Sequence, residues 1–186
     1  MEPRGDAGEA GAADVSPAAG RAEAVMQAIP IDERGRFAGY ASVFGRLDDA
    51  GDLVMPGAFG RSLAKRGAEK LRMLFQHDPK EPVGTWDVAR EDGFGLWVEG
   101  RLVPGVPRAD ALRRLIERRA IDGLSIGFRT ERATREARSG HRRLWAIDLW
   151  EISIVTFPML AEARIAPGQG APAERSLRAA ISLLKQ

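Results

Sequence analysis

The chain has 186 residues, 44% hydrophobic and 29% charged, the composition of one ordinary globular domain rather than of a disordered polymer. It has no cysteine, which excludes a disulfide framework, thiolate-bound zinc and a cysteine nucleophile; its longest run without a charge, residues 152–161, falls well short of the roughly twenty residues of a membrane span. Twenty-eight basic residues against 26 acidic ones leave +2, and the arginine clusters at 113–119 and 129–143 are interleaved with Glu117, Glu131 and Glu136, which argues against a nucleic-acid surface.

Residues 1–24 carry Met1 and Val15 as their only larger apolar side chains and lack the apolar core of a signal peptide, so residues 1–30 read as a disordered tail. Residues 36–44 read as a strand, with Gly39 its weak point, followed by a turn-rich loop at 47–51. Pro56 opens a short helix in which Phe59 and Leu63 share the buried face and which Gly67 ends. A strand over 71–76 is stopped by His77-Asp78-Pro79; another follows over 82–89, and Glu91-Asp92-Gly93 forms a hairpin turn. The strand over 94–103 puts Phe94, Leu96, Val98 and Leu102 on one face and Glu99 and Arg101 on the other, before Pro104 and Pro107 break it.

Residues 109–119 form a helix with an apolar stripe of Leu112, Leu115 and Ile116. Strands over 123–130 and 144–157 are joined by the polar segment 131–143. After Pro158 the chain loosens into a flexible linker, and Leu177, Ile181 and Leu184 mark a last amphipathic helix. A domain at 31–161 is thus flanked by the tail at 1–30 and a cleavable linker and helix at 162–186. Six or seven strands that do not alternate with the two internal helices predict a mostly β fold, an antiparallel sheet or barrel with helices packed outside.

Three residues stand out for chemistry. Ser125 in Gly123-Leu124-Ser125-Ile126-Gly127 faces away from Leu124, Ile126 and Phe128 on a strand. Its glycine neighbours either leave the hydroxyl open to a peptide or permit close backbone packing, and the packing reading is the stronger. The spacing matches a G-x-S-x-G elbow, but Phe128-Arg129-Thr130 continues a strand where the elbow needs a helix. His77 sits at a strand end, where a half-buried imidazole suits a general base, whereas His141 lies among Ser139, Gly140, Arg142 and Arg143 as a loop residue. Glu151, on a regular strand, shares a face with Trp145, Ile147 and Leu149, which a carboxylate tolerates only when paired; a bulge turns it outward instead, and Asp148 competes for the same role. No metal-ligand spacing is present and no cofactor is implied.

The blocks Gly39-Tyr40-Ala41-Ser42-Val43-Phe44, Gly51-Asp52 with Pro56-Gly57-Ala58-Phe59, Met73-Leu74-Phe75-Gln76-His77-Asp78-Pro79, Pro82-Val83-Gly84-Thr85-Trp86, Gly95-Leu96-Trp97-Val98, Leu124-Ser125-Ile126-Gly127-Phe128 and Asp148 through Pro158 stand in a fixed order. In that order they resemble the prohead maturation proteases of tailed phages. The resemblance implies the herpesvirus assemblin architecture, a bent β-barrel surrounded by helices, and a serine endopeptidase with Ser125 as nucleophile and His77 as base. Assemblins place a second histidine as third member; this chain offers none, which makes Glu151 the natural substitute. The resemblance also implies oxyanion donors on the backbone around residues 157–160, and Ser125 Oγ close to a ring nitrogen of His77 with Glu151 on its far side. The implied partners are the major capsid protein with its scaffold segment, and further copies of this chain through self-cleavage and dimerisation. The implied location is the immature procapsid in the bacterial host cytoplasm. A catalytically silent assembly factor and an esterase-like hydrolase are the competing classes.

Overall fold

The computed structural model describes residues 31–166. The strands are β1 (Arg36–Val43), β2 (Asp52–Val54), β3 (Arg72–Phe75), β4 (Asp78–Glu91), β5 (Gly95–Leu102), β6 (Gly123–Arg135), β7 (Arg142–Val155) and β8 (Arg164–Ile165); the helices are α1 (Gly60–Arg66) and α2 (Pro107–Glu117). They form one sheet in the order β2-β7-β3-β4-β5-β1-β8-β6, and pairing of β6 with β7 closes seven of the strands into a barrel. Most pairs are antiparallel. The exceptions lie along one edge of β7, where β2 runs parallel to its first half and β3 parallel to its second half.

The barrel interior is apolar. Phe37, Trp86, Leu96, Leu124, Ile147, Leu149, Ile152 and Ile154 are all buried there, and the Phe37 and Trp86 rings meet edge-on at 5.6 Å. Burial of each large aliphatic side chain contributes about 1.5–3 kcal/mol, so this lining is the main source of stability. Outside, α2 adds Ala109, Leu112 and Ile116 to the core, while α1 packs across β7 through the Ser62 hydroxyl, which accepts the Leu149 N–H at 2.8 Å.

Several local expectations change. The first helix begins at Gly60, with Pro56 in the turn before it, and Gly67 ends it as expected. Strand β3 does stop before His77, at Phe75, but Asp78 and Pro79 already belong to β4, which makes Gln76-His77 a two-residue hairpin turn. Phe94 is 51% exposed and packs edge-on against Tyr40 rather than in the core, and Leu115 is 39% exposed while Ala109 takes the buried place. The polar segment 131–143 is largely strand, because β6 and β7 continue as one long hairpin.

The barrel also continues past residue 161. Strand β8 pairs with Gly39 and Tyr40 of β1 and bridges to Gly123 of β6. Gly39 makes this possible, since a Cβ there would strike the Arg164 backbone. The tail at 1–30 and the helix carrying Leu177, Ile181 and Leu184 lie outside the described residues. No helix among the described residues is long and apolar enough to cross a membrane.

Candidate active site

Strand register places the chemistry. Across β6 and β7, Leu124 opposes Ile154 and Ile126 opposes Ile152, with these residues directed to the apolar interior; Ser125 opposes Ser153 and Gly127 opposes Glu151 on the other face. The next pair is Phe128 with Leu149, so Trp150 is an extra residue, a β-bulge. That bulge resets the alternation. Leu149, Ile152 and Ile154 all reach the core, and Glu151 leaves the face of Ile147 and Leu149 that a regular strand would have given it. Asp148 is engaged elsewhere: Arg66 donates to it at 2.6 and 3.2 Å and the Trp150 indole at 3.1 Å, and the Arg66 guanidinium holds its carboxyl below the usual range.

His77 reaches Glu151 from the opposite edge of β7. Parallel pairing sets Leu74 beside Ser153 and Phe75 beside Ile154, so the turn that follows β3 arrives over the polar face. Gln76 and His77 take φ of 54° and 59°, a left-handed pair with no glycine in it. Tertiary hydrogen bonds hold this turn. The Gln76 N–H donates to the Ile154 carbonyl at 3.0 Å and the His77 N–H to Ser153 Oγ at 3.1 Å. The Gln76 amide donates to Thr156 Oγ1 at 2.9 Å and accepts the Thr156 N–H at 3.3 Å.

The imidazole Nδ1 lies 2.6 Å from Glu151 Oε1, with the imidazole side chain 42% exposed and the carboxylate side chain 11% exposed. Glu151 Oε2 accepts the Ser153 hydroxyl at 2.6 Å. The hydrogen bond to Glu151 raises the His77 pKa above its ordinary value against the opposing effect of burial, and the carboxylate's charge adds to the rise. Ser153 was not singled out from the sequence. Its signal was its position two residues after Glu151, hence on the same face.

Ser125 is buried on that same face, and among the described residues its hydroxyl has no hydrogen-bond partner. His77 and Glu151 are therefore in contact, while Ser125 stands in the adjoining strand, opposite the serine that receives the His77 amide, without a hydrogen bond to the imidazole. Such bonds are commonly long before substrate binds. The glycines beside Ser125 serve packing rather than access. A Cβ at Gly127 would collide with the Glu151 carboxylate, and one at Gly123 would strike the Val155 carbonyl and the Pro158 ring.

A cavity of about 150 Å³ opens beside β6, lined by Leu124, Ser125, Ile126, Met159 and Leu160 among others. On that side β6 pairs only at its start, through Gly123 with β8 and the Leu124 N–H to the Ala163 carbonyl; among the described residues its outer edge from Ile126 onward pairs with no further strand, and β1 faces it across the cavity. His141 lies at the other end of β7, next to Gly51, and does not join His77. No cluster of metal-ligating side chains occurs among the described residues.

Comparison with known proteins gives the family and the fold. The family model for the caudovirus prohead serine protease matches residues 24–177. The prohead protease of Enterobacteria phage HK97 is 40% identical over 136 residues, which cover 72% of this chain and 60% of that protein; the chain thus spans 60% of the length of that relative. Among solved structures, the capsid assembly protease of bacteriophage T4 superposes with a TM-score of 0.57 at 14% identity, over 72% of this chain and 90% of that one. The KSHV protease in complex with a hexapeptide phosphonate inhibitor gives 0.51 at 14% identity, over 79% of this chain and 76% of that one. At such identities these two structures speak for the fold, and it is the assemblin-like fold expected from the sequence. With its family model covering most of its length and a close relative in a tailed phage, the chain belongs to the caudovirus prohead serine protease family.

Proposed function

We propose that this chain is a serine endopeptidase that processes the scaffold segment of a major capsid protein, and itself, while a phage-type procapsid matures. The observation that carries the reading is the 2.6 Å contact between His77 Nδ1 and Glu151 Oε1 on the face that also bears Ser125. With Glu151 holding the proton on Nδ1, Nε2 keeps its lone pair and is the base. Ser125 Oγ attacks the scissile carbonyl as its proton passes to His77. The imidazolium returns that proton to the leaving amine, and water then hydrolyses the acyl-enzyme by the same route.

The tetrahedral oxyanion requires backbone donors worth about 3 kcal/mol each. We assign them to the segment 157–160, a reading supported by its passage beside Gly123 at Pro158 and by its tie to the loop before β2, the Asp49 N–H to the Met159 carbonyl. The open outer edge of β6 suits an extended peptide added as a further strand, with one side chain entering the adjoining cavity. Neither cofactor nor metal enters this scheme. Its partners are the capsid protein and other copies of the chain, and its place is inside the procapsid in the host cytoplasm.

Co-expression with the capsid protein from the same particle tests the reading. Intact-mass spectrometry is expected to find truncated capsid protein with the native chain and full-length capsid protein with Ser125→Ala. Identical full-length masses in both would leave a silent assembly factor. Cleavage of small activated esters by Ser125 without any peptide cleavage would leave an esterase.

A further inference from the structure

Resting on the serine-protease reading, we propose that Ser153 is a positioning residue that sets the tautomer of His77 and the orientation of Glu151 from beneath the site. Its side chain is fully buried, and both of its hydrogen bonds go to the other two members. A backbone N–H can only donate, so at the 3.1 Å contact with His77 the Ser153 oxygen is the acceptor. A hydroxyl has a single proton, and it is directed at Glu151 Oε2, 2.6 Å away. Glu151 therefore accepts at Oε2, which turns Oε1 toward Nδ1; an ionised carboxylate can only accept there, so Nδ1 carries the proton and Nε2 is the free base. One hydroxyl thus holds both the His77 amide and the carboxylate that sets the tautomer.

Ser153 also holds the backbone from which the imidazole hangs. The left-handed conformations of Gln76 and His77 are unfavourable for residues with a Cβ, and the His77 N–H to Ser153 Oγ bond is among the few contacts that hold them. The register adds the nucleophile, since Ser153 lies directly opposite Ser125 on the same face. A residue that only filled space would affect stability and leave the protonation behaviour of His77 alone.

The test uses the full chain and a fluorophosphonate probe, following modification of Ser125 by mass spectrometry across about pH 5 to 9, the range in which histidine titrates. Ser125→Ala defines the background. With Ser153→Ala the maximal labelling rate is expected to fall about tenfold or more, since imidazole orientation governs the base. The half-saturating probe concentration should stay within about twofold, and the acid limb should move down toward the ordinary histidine value near 6.5. Ser153→Thr, which keeps the hydroxyl, should retain most of the rate. Wild-type rate and pH profile in a folded Ser153→Ala would overturn the proposal. If that variant does not fold, Ser153→Cys decides instead. Its thiol is a weak donor, so a loss of rate in Cys with retention in Thr supports the role, and equal full activity in both refutes it. A wild-type chain that is never labelled at Ser125 is a separate failure, that of the serine-protease reading.

Discussion

Along the β6–β7 hairpin, Leu124 faces Ile154 and Ile126 faces Ile152, while one residue out of step Ser125 faces Ser153 and Gly127 faces Glu151. The same two strands thus carry a stabilising face and a chemical one. The apolar face makes no directional demands; it needs volume filled, and aliphatic side chains of similar size would serve. On the polar face the oxygens of Glu151 and Ser153 have assigned partners, and Gly127 lacks a side chain because the carboxylate occupies that space. On the proposed function, the difference teaches that stability and activity are separable by strand parity. The bulge at Trp150 keeps both faces in order: without its extra residue, Glu151 would point into the barrel.

Substitutions on the two faces should therefore fail in different ways. The largest effect is expected from Ser125→Ala, which should reduce peptide cleavage by about a thousandfold or more while leaving the urea midpoint unchanged. Next comes Glu151→Gln. A carboxamide has one oxygen and cannot accept from both Nδ1 and Ser153, so the turnover number should fall by about a hundredfold or more. The acid limb of the wild-type profile should lie above the ordinary histidine value and move down in this variant, because the hydrogen bond that raises the His77 pKa is lost.

The same pair has a signature in stability. A histidine whose pKa rises on folding adds stability that is fully present below its unfolded value, about 6.5, and is lost as pH rises through the raised value. The gap in melting temperature between wild type and Glu151→Gln should shrink over that window.

On the opposite face, Ile152→Ala should destabilise by about 2–5 kcal/mol in urea unfolding, with residual activity tracking the folded fraction. The smallest effect is expected at the turn. Gln76→Gly relieves a left-handed residue but deletes the bonds to Thr156, so unfolding free energy should change by less than about 1 kcal/mol. A large loss of stability there would show that the turn is held mainly by the Gln76 side chain.

Much of the barrel was legible because its longer strands carry alternating apolar residues and its β4–β5 hairpin has ordinary turn chemistry. Asp92 accepts from the Phe94 and Gly95 N–H groups there, as an acidic residue before glycine suggests. Strands β2 and β8 were not legible: three and two residues carry no period, and only pairing defines them. The tightness of the His77 turn was hidden too, since Gln-His is no signal for a left-handed hairpin, and the break expected over His77-Asp78-Pro79 gave no sign that β4 begins at Asp78. Ser125 and His77 could be named from the ordered blocks. The environment of Glu151 could not, because a bulge has no compositional mark, and neither could the pairing of Asp148 with Arg66, 82 residues away in the chain.

The contact between His77 and Glu151 joins residues 74 positions apart and depends on β3 lying alongside β7. Closing so long a stretch of chain is slow and cannot begin until β7 has been synthesised. An unfinished or partly collapsed copy therefore holds an isolated imidazole and an isolated carboxylate, with no means of activating an alcohol. On the proposed function, topology acts as a timer that leaves a newly made copy inert until the ring has shut.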